Sequence, residues 1–101
     1  MSDTESSDET TSDEADRDEA AQLARTQAVV EHLAKSLVDE PEAVGTAIDL
    51  DHPTPRINVT AAPGEVGRLI GKRGRTAQAI RAVGRAAAAK DGAHVDVEFL
   101  D

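Results

Sequence analysis

Residues Gly67–Thr76, GRLIGKRGRT, concentrate three glycines and four positive charges in ten positions. Gly71 and Gly74 bracket Lys72 and Arg73, with Arg68 and Arg75 on either side. The chemistry suited to this pattern is phosphate binding. Two glycines remove the side chains that would hold a phosphate away and permit a sharp turn. Bases at the tip and flanks attract the anion. A helix starting just after the turn adds backbone N–H groups and the positive end of its dipole. Four bases this close imply strongly salt-dependent binding.

Two other glycine-rich phosphate sites do not fit. A nucleotide-hydrolase P-loop needs four residues between its first glycine and Gly-Lys, then Ser or Thr. Here three residues separate Gly67 from Gly71-Lys72, and Arg73 follows. No G-x-G-x-x-G occurs, and no βαβ unit surrounds the loop, so the dinucleotide fingerprint fails too.

The elements that must position the loop are legible from periodicity. Apolar residues at 30, 33, 34 and 37 mark one face of a helix beginning at Gln22 and stopped before Pro41. Residues 43–50 and 56–61 alternate as strands about the two prolines of DHPTP. Pro63-Gly64 ends the second strand, and a short helix over GEVGRLI precedes the loop. A longer helix runs from about Arg75 to Lys90. Thr76, Ile80, Val83 and Ala87 are expected on its packed side, with Gln78, Arg81 and Arg85 opposite. Asp91-Gly92 closes it, and HVDVEF alternates as a last strand. The order α-β-β-α-α-β predicts an α+β fold, a three-stranded sheet with helices packed on one face.

Charge is partitioned along the chain. The formal net charge is -9, yet residues 1–19 hold nine acids and one base, whereas 66–90 hold seven bases and no acid. The local field, not the overall charge, governs a binding site. Residues 1–21, rich in Ser, Thr, Asp and Glu, are expected to form a disordered acidic tail ahead of a folded domain over 22–101. That tail reads as a solubilising leader or as an electrostatic competitor for the basic block. The chain has no cysteine, and three scattered histidines match no metal-ligand spacing. No cofactor is expected. The acidic N-terminus is unlike a signal peptide, and no apolar run approaches the roughly 20 residues of a membrane span. The expectation is a cytoplasmic protein without membrane insertion. With Phe99 the only aromatic residue, the core must be aliphatic.

Gly71-Lys72-Arg73-Gly74 matches the GXXG loop with which KH domains clamp nucleic-acid backbone. From about Thr26 to Asp101, through LAKSLVDEPEAV, APGEVGRLIGKRGRTAQAIRAV and HVDVEFLD, the chain resembles the small bacterial KH-domain proteins of the KhpA (YlqC-like) family. The resemblance implies a type II (prokaryotic) KH domain, binding of single-stranded RNA, an RNA-chaperone role and no catalysis. It also implies a homodimer, or a heterodimer with a larger Jag-like KH protein, and a link to cell division and envelope growth. The alternative is an interaction or scaffold module with RNA incidental.

By that resemblance Gly71, Lys72, Arg73 and Gly74 take the clamping positions. Val66, Ile70, Thr76 and Ile80 are candidates for an apolar groove, with Arg56 or Asn58 at its rim. Core positions are the competing reading for Ile70, Ile80 and Val83. Arg75 and Arg68 flank the loop. Arg81 and Arg85 fit either a solvated helix face or a second phosphate track. Ala86–Ala89 fit either ordinary helix formers or a face that a second helix approaches closely.

Overall fold

The computed structural model describes residues 18–101, so the acidic tail expected over 1–21 lies largely outside the described residues. Helical backbone begins at residue 18, ahead of the expected start at Gln22. It turns at Leu23 and continues as α1 (Ala24–Leu37). Val38 is already extended, three residues before Pro41, which opens a 3-10 turn over Pro41–Ala43. The chain then forms β1 (Gly45–Asp49), β2 (Arg56–Thr60), α2 (Val66–Ile70), α3 (Arg75–Lys90) and β3 (Asp96–Phe99).

The sheet order is β1-β2-β3. β1 and β2 pair antiparallel, with Ile48 opposite Ile57. β2 and β3 pair parallel, with Ile57 opposite Val97. A parallel neighbour requires a long crossover, and that crossover carries α2, the glycine loop and α3. The loop therefore does lie between two parallel strands, contrary to the expectation that no βαβ unit surrounds it; the dinucleotide fingerprint still fails because no G-x-G-x-x-G occurs. The fold is thus the expected α+β arrangement, a three-stranded sheet with helices. Ile57, Val59 and Val97 are buried, whereas the alternating Arg56, Asn58, Asp96 and Glu98 are only half-buried.

The core is aliphatic: Leu23, Val30, Ala34, Ile57, Val59, Leu69, Ile80 and Val97 pack together, with Phe99 partly buried against them. The packed stripe on each long helix departs from expectation. On α1 it runs through Thr26, Val30 and Ala34, continued by Val38, and Leu37 is 42% exposed. On α3 it runs through Ala77, Ile80, Gly84 and Ala88, and Val83 is 43% exposed. Both corrections have one cause. α1 and α3 lie against each other, and their closest approach selects the smallest residues. A Cβ at Gly84 would sit 3.2 Å from Val97 Cγ2 and 3.4 Å from Val30 Cγ2. A stripe assigned by hydrophobicity cannot see a glycine as a packing residue.

Polar contacts fix the rest of the frame. The Gln27 amide donates to Thr46 Oγ1 at 3.0 Å, and that hydroxyl donates to Glu31 at 3.0 Å, tying α1 to β1. The Lys35 ammonium, 2.8 Å from Glu31, holds the Glu31 carboxyl below the usual range, with the Thr46 hydroxyl adding to the effect. Buried Glu65 accepts the backbone N–H groups of Asp39 (2.7 Å) and Glu40 (3.3 Å). That contact fastens the end of α1 to the start of α2, and so sets where the glycine loop is presented.

Candidate nucleic-acid interface

Ile70 is the last residue of α2, and the next four residues reverse the chain into α3. Gly71 adopts φ 75°, ψ 176°, Arg73 φ 58°, ψ 24°, and Gly74 φ 72°, ψ 14°. Three residues in four therefore need backbone that L side chains avoid. At Gly71 the requirement is doubled. A Cβ there would collide with the Thr76 hydroxyl oxygen and lie 2.7 Å from Thr76 Cβ. Gly71 N–H donates to the Gly67 carbonyl (2.9 Å) and Gly74 N–H to the Gly71 carbonyl (3.1 Å), closing the turn.

Among the described residues, Arg73 alone combines a side chain with positive φ. Left-handed backbone costs such a residue about 1–2 kcal/mol, and strain of this kind concentrates at functional sites. The turn throws Lys72 and Arg73 outward, both exposed, with exposed Arg75 one turn-step behind. Among the described residues none of the three has a carboxylate within 4.0 Å. Four bases elsewhere do have one, Arg25 with Asp91, Lys35 with Glu31, Arg68 with Asp39 and Arg85 with Asp96, whereas the dispersed Arg56, Arg81 and Lys90 do not. Nor does any side chain cap the N-terminus of α3. The Arg75 N–H is taken by the Lys72 carbonyl; the N–H groups behind it have no side-chain cap, and the positive end of the helix dipole lies beside the three bases.

The expected site residues separate into groups. Gly71, Lys72, Arg73, Gly74, Arg75 and half-buried Thr76 are brought together by the turn. Ile70, 40% exposed, stands at its edge, so the groove reading rather than the core reading suits it. Val66 and Ile80 are buried in the core, with an edge of Ile80 still reaching the apolar groove beside the loop. Arg68 is on the flank as expected, but its guanidinium is 3.1 Å from Asp39, which takes up part of its charge.

Arg81 is the main correction. Instead of lying on a solvated face opposite the packed stripe, it is half-buried against β3. Its Nε donates to the Val97 carbonyl at 3.0 Å, and the guanidinium carbon lies 5.5 Å above the Phe99 ring, within cation–π range. Phe99 was missed as its partner. The available signal was its position as the only aromatic residue, at the end of the last strand. Arg85 remains exposed, 3.9 Å from Asp96.

A shallow apolar groove lies on the α1 side of the loop, lined by Leu33, Leu37, Thr76, Ala79, Ile80 and Val83. It holds Leu37 and Val83, both exposed where the sequence pattern places them inside. Among the described residues no group of His, Asp or Glu could hold a metal ion, and no helix is long and apolar enough to cross a membrane.

Residues 27–99 match the family model described as KhpA/KhpB, KH domain. A relative from Halalkalibacterium halodurans, RNA-binding protein KhpA, is 39% identical over 75 residues, covering 74% of this chain and 99% of the relative. One of the same name from Clostridium perfringens is 43% identical over 72 residues, covering 71% and 96%. Among solved structures, Aquifex aeolicus Era bound to GDP and AlF4 superposes with a TM-score of 0.59 at 19% identity. That alignment covers 78% of this chain and 30% of the Era chain, a likeness of fold.

Proposed function

This chain belongs to the KhpA/KhpB KH-domain family, and on that premise we propose that it binds single-stranded RNA through the Gly71–Gly74 turn. The observation that carries the reading is the convergence at one point of Lys72, Arg73 and Arg75, free of carboxylate partners among the described residues, with the uncapped N-terminus of α3. Phosphates satisfy both sets of donors at once. Gly71 and Gly74 let the strand approach the backbone, Lys72 and Arg73 supply charge at the tip, and Arg75 and Arg68 extend it. Ile70 and Thr76 offer an apolar edge to a base. Arg81, bonded to the Val97 carbonyl and set over the Phe99 ring, adds positive charge along α3 as a further phosphate contact. A site built on backbone contacts has few base-reading groups, which suits low sequence specificity and an RNA-chaperone role. The proteins of this family are binding proteins, not enzymes.

Fluorescence anisotropy with a labelled single-stranded oligonucleotide and its duplex tests the reading. Binding of the single strand that weakens steeply as salt rises is the expected result. Equal affinity for the duplex would remove the single-strand assignment.

A second reading, pairing with another KH chain, is favoured by exposed Leu37 and Val83 on the groove between α1 and α3. Apolar patches of this kind on a small domain mark protein contact sites, and a dimer would link two weak RNA sites into one stronger one. Leu37→Ser with Val83→Ser should leave the thermal midpoint within a few degrees, since neither side chain is in the core. It should also convert any dimer seen by sedimentation to monomer. A dimer that survives both changes would place the contact elsewhere.

A further inference from the structure

We propose that the acidic segment 1–17 docks onto the Lys72–Arg75 loop of its own chain and competes there with nucleic-acid phosphates. The proposal rests on the reading of that loop as the phosphate clamp. Segment 1–17 carries seven acids against one base, Arg17. Carboxylates are accepted by the same donors as phosphates, namely guanidinium and ammonium groups and the N–H groups at a helix start. The loop bases form a cluster of three without carboxylates among the described residues, whereas Arg25, Lys35, Arg68 and Arg85 have theirs and the other unpaired bases, Arg56, Arg81 and Lys90, are dispersed along the chain.

Geometry permits the contact and disfavours the nearer alternative. The described chain starts at Asp18, which lines a surface hollow with Glu19, Arg25 and Asp91 beside the C-terminal end of α3. That end has Asp91 and Asp96 of its own, with Arg25 and Arg85 already drawn to them; Lys90 there has no carboxylate among the described residues, but it is a single base at the negative end of the helix dipole. An acidic segment rooted there is repelled locally. The loop lies at the opposite end of the 16-residue α3, about 24 Å away along the axis at 1.5 Å per residue. Seventeen extended residues reach at most about 60 Å.

The segment is also an addition to the family pattern. The family match begins at residue 27, and the Halalkalibacterium halodurans relative is 99% covered by the matched stretch, which leaves it no room for such an extension. Tethering supplies an effective concentration in the millimolar range, so even weak docking is sufficient to matter.

The test keeps the chain full length and replaces the seven acids of 1–17 by their amides, Asp3→Asn and Glu5→Gln through Asp16→Asn. A labelled oligouridine is titrated with each protein at about 50 mM and about 300 mM salt. Amide chemical shifts are compared without RNA. The expected result is about three- to tenfold tighter binding by the neutralised chain at low salt, a difference that closes at high salt. Amide shifts should differ over Gly71–Thr76, independently of protein concentration. Equal affinities would overturn the proposal. So would tighter binding without a change at the loop, which is general repulsion only, or shifts confined to Arg85–Lys90. Shifts that grow with concentration would place the segment on a neighbouring copy and overturn it as well. If neither protein binds the oligonucleotide, the RNA reading falls, and the loop amides alone decide whether the segment docks.

Discussion

Lys72→Asp with Arg73→Asp lowers affinity for single-stranded RNA at least about a hundredfold at moderate salt, while circular dichroism and the thermal midpoint stay near those of the unchanged protein. Two charge-assisted contacts are lost, each worth about 1.5–3 kcal/mol, and two carboxylates now face the phosphates. At 1.4 kcal/mol per tenfold, a hundredfold loss is the lower end of that range. The slope of affinity against salt should fall with it, because fewer counterions are released. The fold survives because both side chains are exposed and neither contacts the core. Aspartate also enters left-handed backbone more readily than most residues, so the φ of 58° at position 73 is no obstacle. Affinity retained at moderate salt, in a variant with unchanged helix content, would move the phosphate site away from this loop.

Gly84→Val destabilises the domain by about 1–3 kcal/mol, the range for overpacking a filled core. For a domain of this size that lowers the thermal midpoint by roughly 4–8 °C per kcal/mol. The Cβ alone enters at 3.2 Å from Val97 Cγ2 and 3.4 Å from Val30 Cγ2, tighter than ordinary van der Waals contact. The two added methyl groups must then displace β3 or α1. Since α3 begins at the loop, that displacement also disturbs the presentation of Lys72 and Arg73. The adjacent Val83 is the control. At 43% exposure and outside the core cluster, its truncation to Ser removes less buried surface than a core substitution does. A Gly84→Val protein as stable as the parent would mean that α3 packs on a different face from the one described.

The adjacent pair shows why the helix faces were not legible in advance. Hydrophobic periodicity ranks Val83 as a core residue and passes over Gly84, because it scores side chains and not the distance between backbones. The same blindness placed Leu37 inside and omitted Thr26. Arg81 was misread for a related reason. Its partners, the Val97 carbonyl and the Phe99 ring, lie 16 and 18 positions away, and only the parallel crossover brings β3 beside α3.

The sequence alone determined the element order, the span of α3 from Arg75 to Lys90, the aliphatic core and the Gly71–Gly74 turn between two helices. These follow from local physics: proline and glycine punctuation, alternation in strands, and φ values that only glycine reaches without cost. It also separated an acidic leader from a basic block by composition. The tertiary structure decided which side of each helix is buried, that Arg68 and Arg81 are engaged while Lys72, Arg73 and Arg75 are without carboxylate partners among the described residues, and that Leu37 and Val83 share an open groove. Those outcomes depend on how closely α1, α3 and the sheet approach one another, a distance set jointly by residues far apart in the chain.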